Sequence, residues 1–229
     1  LMWFPALILT YGNSDPAGAS LHLSEIGKWL GGVGPSLVAI ALIAKDYGLP
    51  GVKRLLGRVV QFRLGVWYLP VLLIVPSFVV VAHLASASGA GFPDTGLLRS
   101  PQLIPVVFLV FLVMQIGEEF GWRGYALNRL QQKMSALGAS LVIGAVWAVW
   151  HAPMFIARGF GQHDNSLPFA QFVLTLITVS VLITWYQNNT NGSLLPAFIC
   201  HALVNLSSEV LPLHRGGVWT WSVVNGLLL

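Results

Sequence analysis

The chain has 229 residues and a formal net charge of +4, and 55% of its residues are hydrophobic while only 9% are charged. Soluble globular domains carry about 25% charged residues, so this chain cannot cover a water-facing surface. The composition excludes an ordinary soluble enzyme, a disordered protein and a nucleic-acid binder, and it predicts an all-α integral membrane protein.

Uncharged stretches mark the helices that can cross a bilayer, since a crossing needs roughly 20 mostly apolar residues. Six such segments follow one another at about 29–44, 64–98, 100–117, 134–157, 168–187 and 194–211. The short apolar pieces 1–11 and 217–229 are interpreted as parts of a first and a last helix, which gives about eight transmembrane helices. We therefore expect one polytopic membrane domain over residues 1–229.

A glycine-rich segment lies in the first of these apolar stretches. Gly31, Gly32 and Gly34 precede Pro35 and Ser36. The Lys-Ser or Lys-Thr pair of a phosphate-binding loop does not follow. The pattern therefore predicts close packing of this helix against another one, because small residues let two backbones approach.

The positions of lysine and arginine predict the orientation, because cytoplasmic connections are enriched in basic residues. One basic cluster lies within 45–63, and Arg123, Arg129 and Lys133 form a second. We expect both clusters, and with eight crossings both termini, to lie in the cytoplasm. Segment 49–64 mixes basic and apolar residues in a pattern that predicts an interfacial helix in contact with anionic lipid.

A pair of carboxylates follows the third apolar stretch, in Gly-Glu-Glu-Phe-Gly-Trp-Arg. A charge at mid-bilayer costs about 2.5–3.5 kcal/mol on insertion scales, so such residues commonly face a cavity and serve a function. Glu119 and Arg123 have the i, i+4 spacing that lets their side chains meet, while Glu118 projects about 100° away around the helix. The alternative is an interfacial pair beside basic residues.

Two histidines lie in the apolar segments that follow. His151 precedes Pro153, which opens the helical hydrogen-bond ladder and lets the helix bend near the imidazole. His201 and Asn205 are four residues apart, so an imidazole and a carboxamide share one helix face. Each histidine taken singly could instead only bond a neighbouring helix.

The expected spans leave these groups at different depths. Glu118 would lie near the cytoplasmic end of its helix, and His151 some 15 residues into the next crossing, about 22 Å away. Tilted or broken helices, a partly re-entrant segment 120–133, or different span boundaries would be needed to bring the two side chains together.

Together the three motifs, Glu-Glu-x-x-x-Arg, aromatic-x-x-x-His and His-x-x-x-Asn, resemble the CPBP family of intramembrane proteases. This family includes the type II CAAX prenyl endopeptidases and the bacterial Abi proteins. The resemblance covers a protease core of about 103–211, and Trp147 stands where the family usually has phenylalanine. It implies a mostly eight-crossing fold with a membrane-embedded polar cavity, in which Glu119 and Arg123 match the supporting pair.

The resemblance also implies the catalytic roles. Glu118 matches the glutamate that activates water, and His151 matches the histidine that assists it. His201 and Asn205 match the pair that stabilises the oxyanion. The expected activity is therefore peptide hydrolysis inside the membrane, which residue chemistry also permits, because a glutamate with a histidine can deprotonate water.

Several alternatives stay open. No cofactor is expected, but Glu118, His151 and His201 could form a three-ligand zinc site of a metalloprotease, although the His-Glu-x-x-His signature is missing. A non-enzymatic transport protein with a proton relay, or a bacteriocin immunity protein, could carry the same motifs. The expected partners are a peptide or protein substrate, prenylated or not, and the lipid bilayer of a prokaryotic plasma membrane, with no nucleic acid.

Overall fold

Six apolar helices form the body of the protein in a computed structural model that describes residues 19–86, 96–156, 160–164 and 167–210. Three are long and apolar enough to cross a membrane, and three are shorter. Each overlaps one of the six apolar segments of the sequence, and the described residues contain no strand, which confirms an all-helical membrane protein. The count of eight crossings stays a prediction, since segments 1–11 and 217–229 lie outside the described residues.

These helices are numbered in chain order. Their bounds are Ala19–Gly57 for α1, Tyr68–Ser86 for α2, Pro101–Gln131 for α3, Ala136–Trp150 for α4, Phe169–Asn189 for α5 and Leu195–Val210 for α6. Helix α6 is the central one, because it packs against α2, α3 and α5, and α4 packs along α5. The first eight residues of α6 are all buried, so its side chains form the middle of the bundle.

Glycines bring α1 and α3 into close contact, as the glycine-rich segment predicts. A Cβ atom on Gly117 would lie 2.6 Å from the carbonyl oxygen of Gly32, and one on Gly121 would lie 2.6 Å from the backbone of Pro35. The hydroxyl of Ser36 donates a hydrogen bond to the carbonyl of Ile116 at 2.7 Å. This contact holds the Glu-Glu segment of α3 against α1 with no room for a larger side chain.

The expected end of the third crossing at residue 117 is wrong. Helix α3 continues to Gln131 through a π-helical segment, Phe120–Ala126, so the polar motif lies inside the helix. Arg123, which the sequence analysis placed in a cytoplasmic connection, is fully buried. The helix can continue because Arg123 is paired with a carboxylate and packed by neighbouring helices, which a count of charges along the chain does not register.

The longer α3 removes the difference in depth. At 1.5 Å per residue, Glu118 lies about 20 Å before the end of α3. Trp147, one turn before His151, lies about 17 Å after the start of α4. Because a short connection joins the two antiparallel helices, both residues reach the same level. Different span boundaries, and not a re-entrant segment, therefore bring the motifs together.

The basic segment after the first crossing is only in part the interfacial helix that its pattern predicts. Helix α1 kinks at Gly48, where φ is 61°, and ends at Gly57 instead of residue 64. Leu55 is only 3% exposed and packs in the core. The Arg58 guanidinium donates hydrogen bonds to the carbonyls of Gly192, at 2.8 Å, and Gly124, at 3.1 Å. Arg58 thus links the end of α1 to the backbone at Gly192 and at Gly124, so its role is not limited to contact with lipid.

Candidate active site

Glu118 lies in α3 directly before the π-helical segment and is partly exposed. The indole nitrogen Nε1 of Trp147 donates a hydrogen bond to Glu118 Oε2 at 2.6 Å. This short, charge-assisted contact crosses from α4 to α3 and holds one carboxylate oxygen in place. The other oxygen makes no hydrogen bond within the described part of the chain, so it can accept a proton from a water molecule.

Glu119 points away from Glu118 into a fully buried ion pair. Arg123 Nη1 donates to Glu119 Oε1 at 2.9 Å, and both side chains have 0% exposure. The i, i+4 pairing that the sequence predicts is confirmed. His201 Nδ1 lies 2.8 Å from the same oxygen, so the carboxylate joins α3 to the central helix α6. Because this oxygen acts as an acceptor, His201 carries its proton on Nδ1.

His151 caps the C-terminal end of α4, which stops at Trp150, and a 3₁₀ turn, Ala152–Phe155, follows. The predicted break near Pro153 is therefore confirmed. His151 Nδ1 lies 2.8 Å from the Trp147 carbonyl, which can only accept, so Nδ1 carries a proton and neutral His151 has a free lone pair on Nε2. Trp150 and Phe172 pack edge-on against the ring, with centroids 4.6 and 5.2 Å away.

Trp147 connects all these groups. Its ring packs against His201, with centroids 4.9 Å apart, and the Arg123 guanidinium lies 4.4 Å from its centroid. Glu118 and His201 both interact electrostatically with His151. The sequence identified Trp147 only as the aromatic residue of the second motif. The missed signal is its indole N–H, because a donor in an apolar helix needs an acceptor on a neighbouring helix.

Asn205 is the one predicted site residue for which the described part of the chain shows no hydrogen bond to another site residue. It lies one turn after His201 on α6 and is partly exposed. The described residues give it no hydrogen bond and no contact with Glu118 or His151. Its carboxamide is therefore placed near the site by helical spacing alone, with both its donor and its acceptor available.

The hydrogen bonds of the two histidines determine which ring nitrogens are free to bind a zinc ion. Both use Nδ1 for a hydrogen bond to the protein and leave Nε2 open, as metal-binding histidines commonly do. However, no group of three His, Cys, Asp or Glu side chains that could hold a metal ion occurs in the described ranges. The donor set Glu118, His151 and His201 thus does not fit a three-ligand site in this arrangement.

Comparison with known proteins gives two similarities. Residues 100–207 match the family model described as type II CAAX prenyl endopeptidase Rce1-like. The chain is also 27% identical to CAAX prenyl protease 2 of Methanococcus maripaludis, over 94% of the chain and 81% of the relative. The matched range contains the Glu-Glu pair, both histidines and Asn205.

Proposed function

We propose that this chain is a membrane peptidase of the Rce1-like family of type II CAAX prenyl endopeptidases, whose model residues 100–207 match, and that Glu118 activates the hydrolytic water. The observation that carries the proposal is the hydrogen bond between Trp147 Nε1 and Glu118 Oε2. It leaves the second carboxylate oxygen open, and the Trp147 ring that makes this bond also packs against His151 and His201. A carboxylate so placed can take a proton while water attacks a peptide carbonyl.

His151 assists this step in our proposal. Its Nδ1–H is used by the Trp147 carbonyl, so neutral His151 presents Nε2 as an acceptor. The ring can therefore take a proton from water or from protonated Glu118 and return it to the leaving amine. The aromatic rings around His151 keep it in one orientation, which favours a single proton path.

Stabilisation of the tetrahedral oxyanion is assigned to Asn205 and His201. Asn205 can donate from its carboxamide as it stands. His201 donates from Nε2 only when both ring nitrogens are protonated, because Nδ1 already faces Glu119. The Glu119 carboxylate accepts from His201 Nδ1 and fixes the ring, which gives the buried Glu119–Arg123 pair a supporting role. Removal of one oxyanion donor typically raises the activation free energy by about 2.7–4 kcal/mol.

Replacing Glu118 by glutamine tests the proposal. Glu118→Gln keeps the side-chain shape and an oxygen that can accept from Trp147, but it removes the group that takes the proton. We expect cleavage of a reporter peptide in proteoliposomes to fall at least about 10²-fold, as for loss of a general base. Glu209→Gln changes an exposed carboxylate at the end of α6 and is the matched control. Activity in Glu118→Gln equal to that of the control would refute the glutamate mechanism.

We propose a mechanism without a metal cofactor. A zinc-dependent peptidase would contain about one zinc per chain, lose activity to a chelator and regain it with added metal. The metal-free mechanism predicts that elemental analysis finds no stoichiometric zinc in the active protein and that chelation leaves the cleavage rate unchanged. The comparisons lend no support to the transport and immunity alternatives.

We further propose that the substrate carries a prenyl group next to its cleavage site. An apolar groove of about 750 Å³ lies between α1 and α3 and includes Gly117 and Phe120, the residues on either side of the Glu-Glu pair. A hydrocarbon chain in this groove would lie beside the helix that holds Glu118. Most of the groove is lined by aliphatic side chains, which bind a chain of this type by burial of apolar surface.

A bulky residue in the groove tests the substrate proposal. Val110 lines the groove and is exposed, so Val110→Trp fills space without disturbing the core. Val142 is similarly exposed on α4 outside the groove, and Val142→Trp is the control. We expect KM for a farnesylated peptide to rise about tenfold only in Val110→Trp, as for one lost hydrocarbon contact. Equal KM values for farnesylated and unmodified peptides in the wild type would refute prenyl recognition, but not proteolysis.

The protein is proposed to reside in the plasma membrane of a prokaryote, with its termini and the basic end of α1 in the cytoplasm. The basic residues that follow Gly48 support this orientation. The single cysteine, Cys200, is buried, so an introduced cysteine can be labelled selectively. A cysteine at Lys53 is expected to resist a membrane-impermeant maleimide in intact cells, and rapid labelling would reverse the orientation.

A further inference from the structure

A second pocket, distinct from the catalytic groups, lies where the C-terminal parts of α1 and α3 meet. Its volume is about 260 Å³. Its polar lining consists of three arginines, two tyrosines and two carboxamides: Arg54, Arg58, Arg129, Tyr47, Tyr125, Asn128 and Gln132. Nothing in the proposed mechanism uses this pocket.

The pocket has an excess of positive charge. Arg129 Nη2 bonds Asp46 Oδ2 at 2.7 Å, and its guanidinium lies over the ring of Tyr125 at 5.4 Å. Arg58 bonds two backbone carbonyls, which leave its charge uncompensated. Arg54 is exposed and bonds no other described residue. The pocket lining therefore carries three guanidinium groups, of which only that of Arg129 is paired with a carboxylate.

The position of the pocket along the helices indicates which anion it meets. The candidate spans of α1 and α3 end at Gly57 and Gln131, and both ends border the pocket. This is the level at which a spanning helix leaves the hydrocarbon and enters the headgroup region. Tyrosine is enriched at that level, in agreement with the two tyrosines of the lining.

We propose that this pocket binds a phosphate group, and specifically the phosphodiester of an anionic phospholipid headgroup. Guanidinium groups recognise phosphate oxygens with paired hydrogen bonds, and basic pockets between membrane helices bind anionic headgroups. A phosphate here would bridge Arg54 of α1 and Arg129 of α3. The bound lipid would thereby stabilise the contact between the kinked end of α1 and the helix that carries the catalytic pair.

The test compares lipids on the purified full chain in a neutral detergent. Dissociation constants for dioleoyl-phosphatidylglycerol and dioleoyl-phosphatidylcholine are measured by native mass spectrometry. The variants are Arg54→Gln, which removes an arginine without a protein partner, and Lys53→Gln, which removes the neighbouring exposed charge outside the pocket lining. Arg129→Gln is a second pocket variant. A separate titration uses inorganic phosphate alone.

We expect the wild type to bind phosphatidylglycerol more tightly than phosphatidylcholine. Arg54→Gln should weaken phosphatidylglycerol binding about fivefold, the value of one basic residue at a membrane surface, and Lys53→Gln should change it less than about twofold. Equal losses of affinity in Arg54→Gln and Lys53→Gln, or no preference between the two lipids in the wild type, would refute the proposal that this pocket binds an anionic headgroup. If millimolar inorganic phosphate competes and the lipid is not preferred over it, the proposal that a lipid is the bound anion would be refuted.

Discussion

Replacing Trp147 by phenylalanine separates the indole hydrogen bond from the aromatic packing around the site. Phenylalanine keeps a ring against His201 and keeps the backbone carbonyl that accepts from His151 Nδ1. The substitution removes the Nε1–H that donates to Glu118 Oε2 at 2.6 Å, together with one ring of the buried indole. If this bond orients the catalytic carboxylate, the chemical step should suffer while substrate binding should not.

The size of the effect follows from the burial of the two partners. A hydrogen bond to a charged group contributes about 1.5–3 kcal/mol. Trp147 is buried but Glu118 is partly exposed, so water can replace the lost donor in part. We therefore expect the lower end of the range, which corresponds to about a tenfold fall in kcat. KM should change less than about twofold, since the bond does not involve substrate.

The assay measures kcat and KM in proteoliposomes, with thermal unfolding measured on the same preparations. Trp185→Phe is the control, because Trp185 is exposed on α5 and makes an edge-on contact with Trp67 far from the catalytic groups. Incorporation of 3-benzothienylalanine at position 147, which replaces N–H by sulfur at constant shape, should reproduce the kcat loss. A kcat in Trp147→Phe equal to that of Trp185→Phe, at equal Tm, would refute the orienting role.

Three further substitutions test the packing. Glu119→Gln should destabilise the protein by about 3–5 kcal/mol, because it leaves the fully buried Arg123 without its charge partner, and an SDS unfolding titration measures the loss. Gly121→Ala should cost about 1–3 kcal/mol, since its Cβ would lie 2.6 Å from the α1 backbone, whereas Gly57→Ala, with open space, should not shift the titration. Arg58→Gln should cost about 2 kcal/mol by losing charged hydrogen bonds to two carbonyls, which a lowered Tm would reveal.

Local spacing explains why the sequence identifies much of the site. The pairing of Glu119 with Arg123 depends only on helical periodicity, and the helix end near His151 follows from the proline two residues later. Both are confirmed because neighbouring helices can neither create nor remove them. The six apolar segments are found for a similar reason, since hydrophobic length is a property of one segment.

Contacts between helices explain what the sequence leaves out. The expected end of the third crossing was wrong because Glu119 and Arg123 pair inside the bundle, where His201, 82 residues further along the chain, also bonds the carboxylate. The indole bond from Trp147 to Glu118 also joins two helices. Neither partner is recognisable from its own segment, so periodicity cannot predict these contacts.

Adjacent glutamates have different environments because the helix rotates by about 100° per residue. This rotation turns Glu119 toward Arg123 and His201, where it is fully buried and its charge is balanced. Glu118 instead meets Trp147, whose neutral donor binds one oxygen without cancelling the charge. One oxygen of Glu118 is thus left open to a water molecule, whereas Glu119 is fixed in a buried ion pair. These environments support our proposal that Glu118 is the general base and Glu119 a supporting residue, and exchanging the two roles would require rotating α3 against the tight glycine contacts of Gly117 and Gly121.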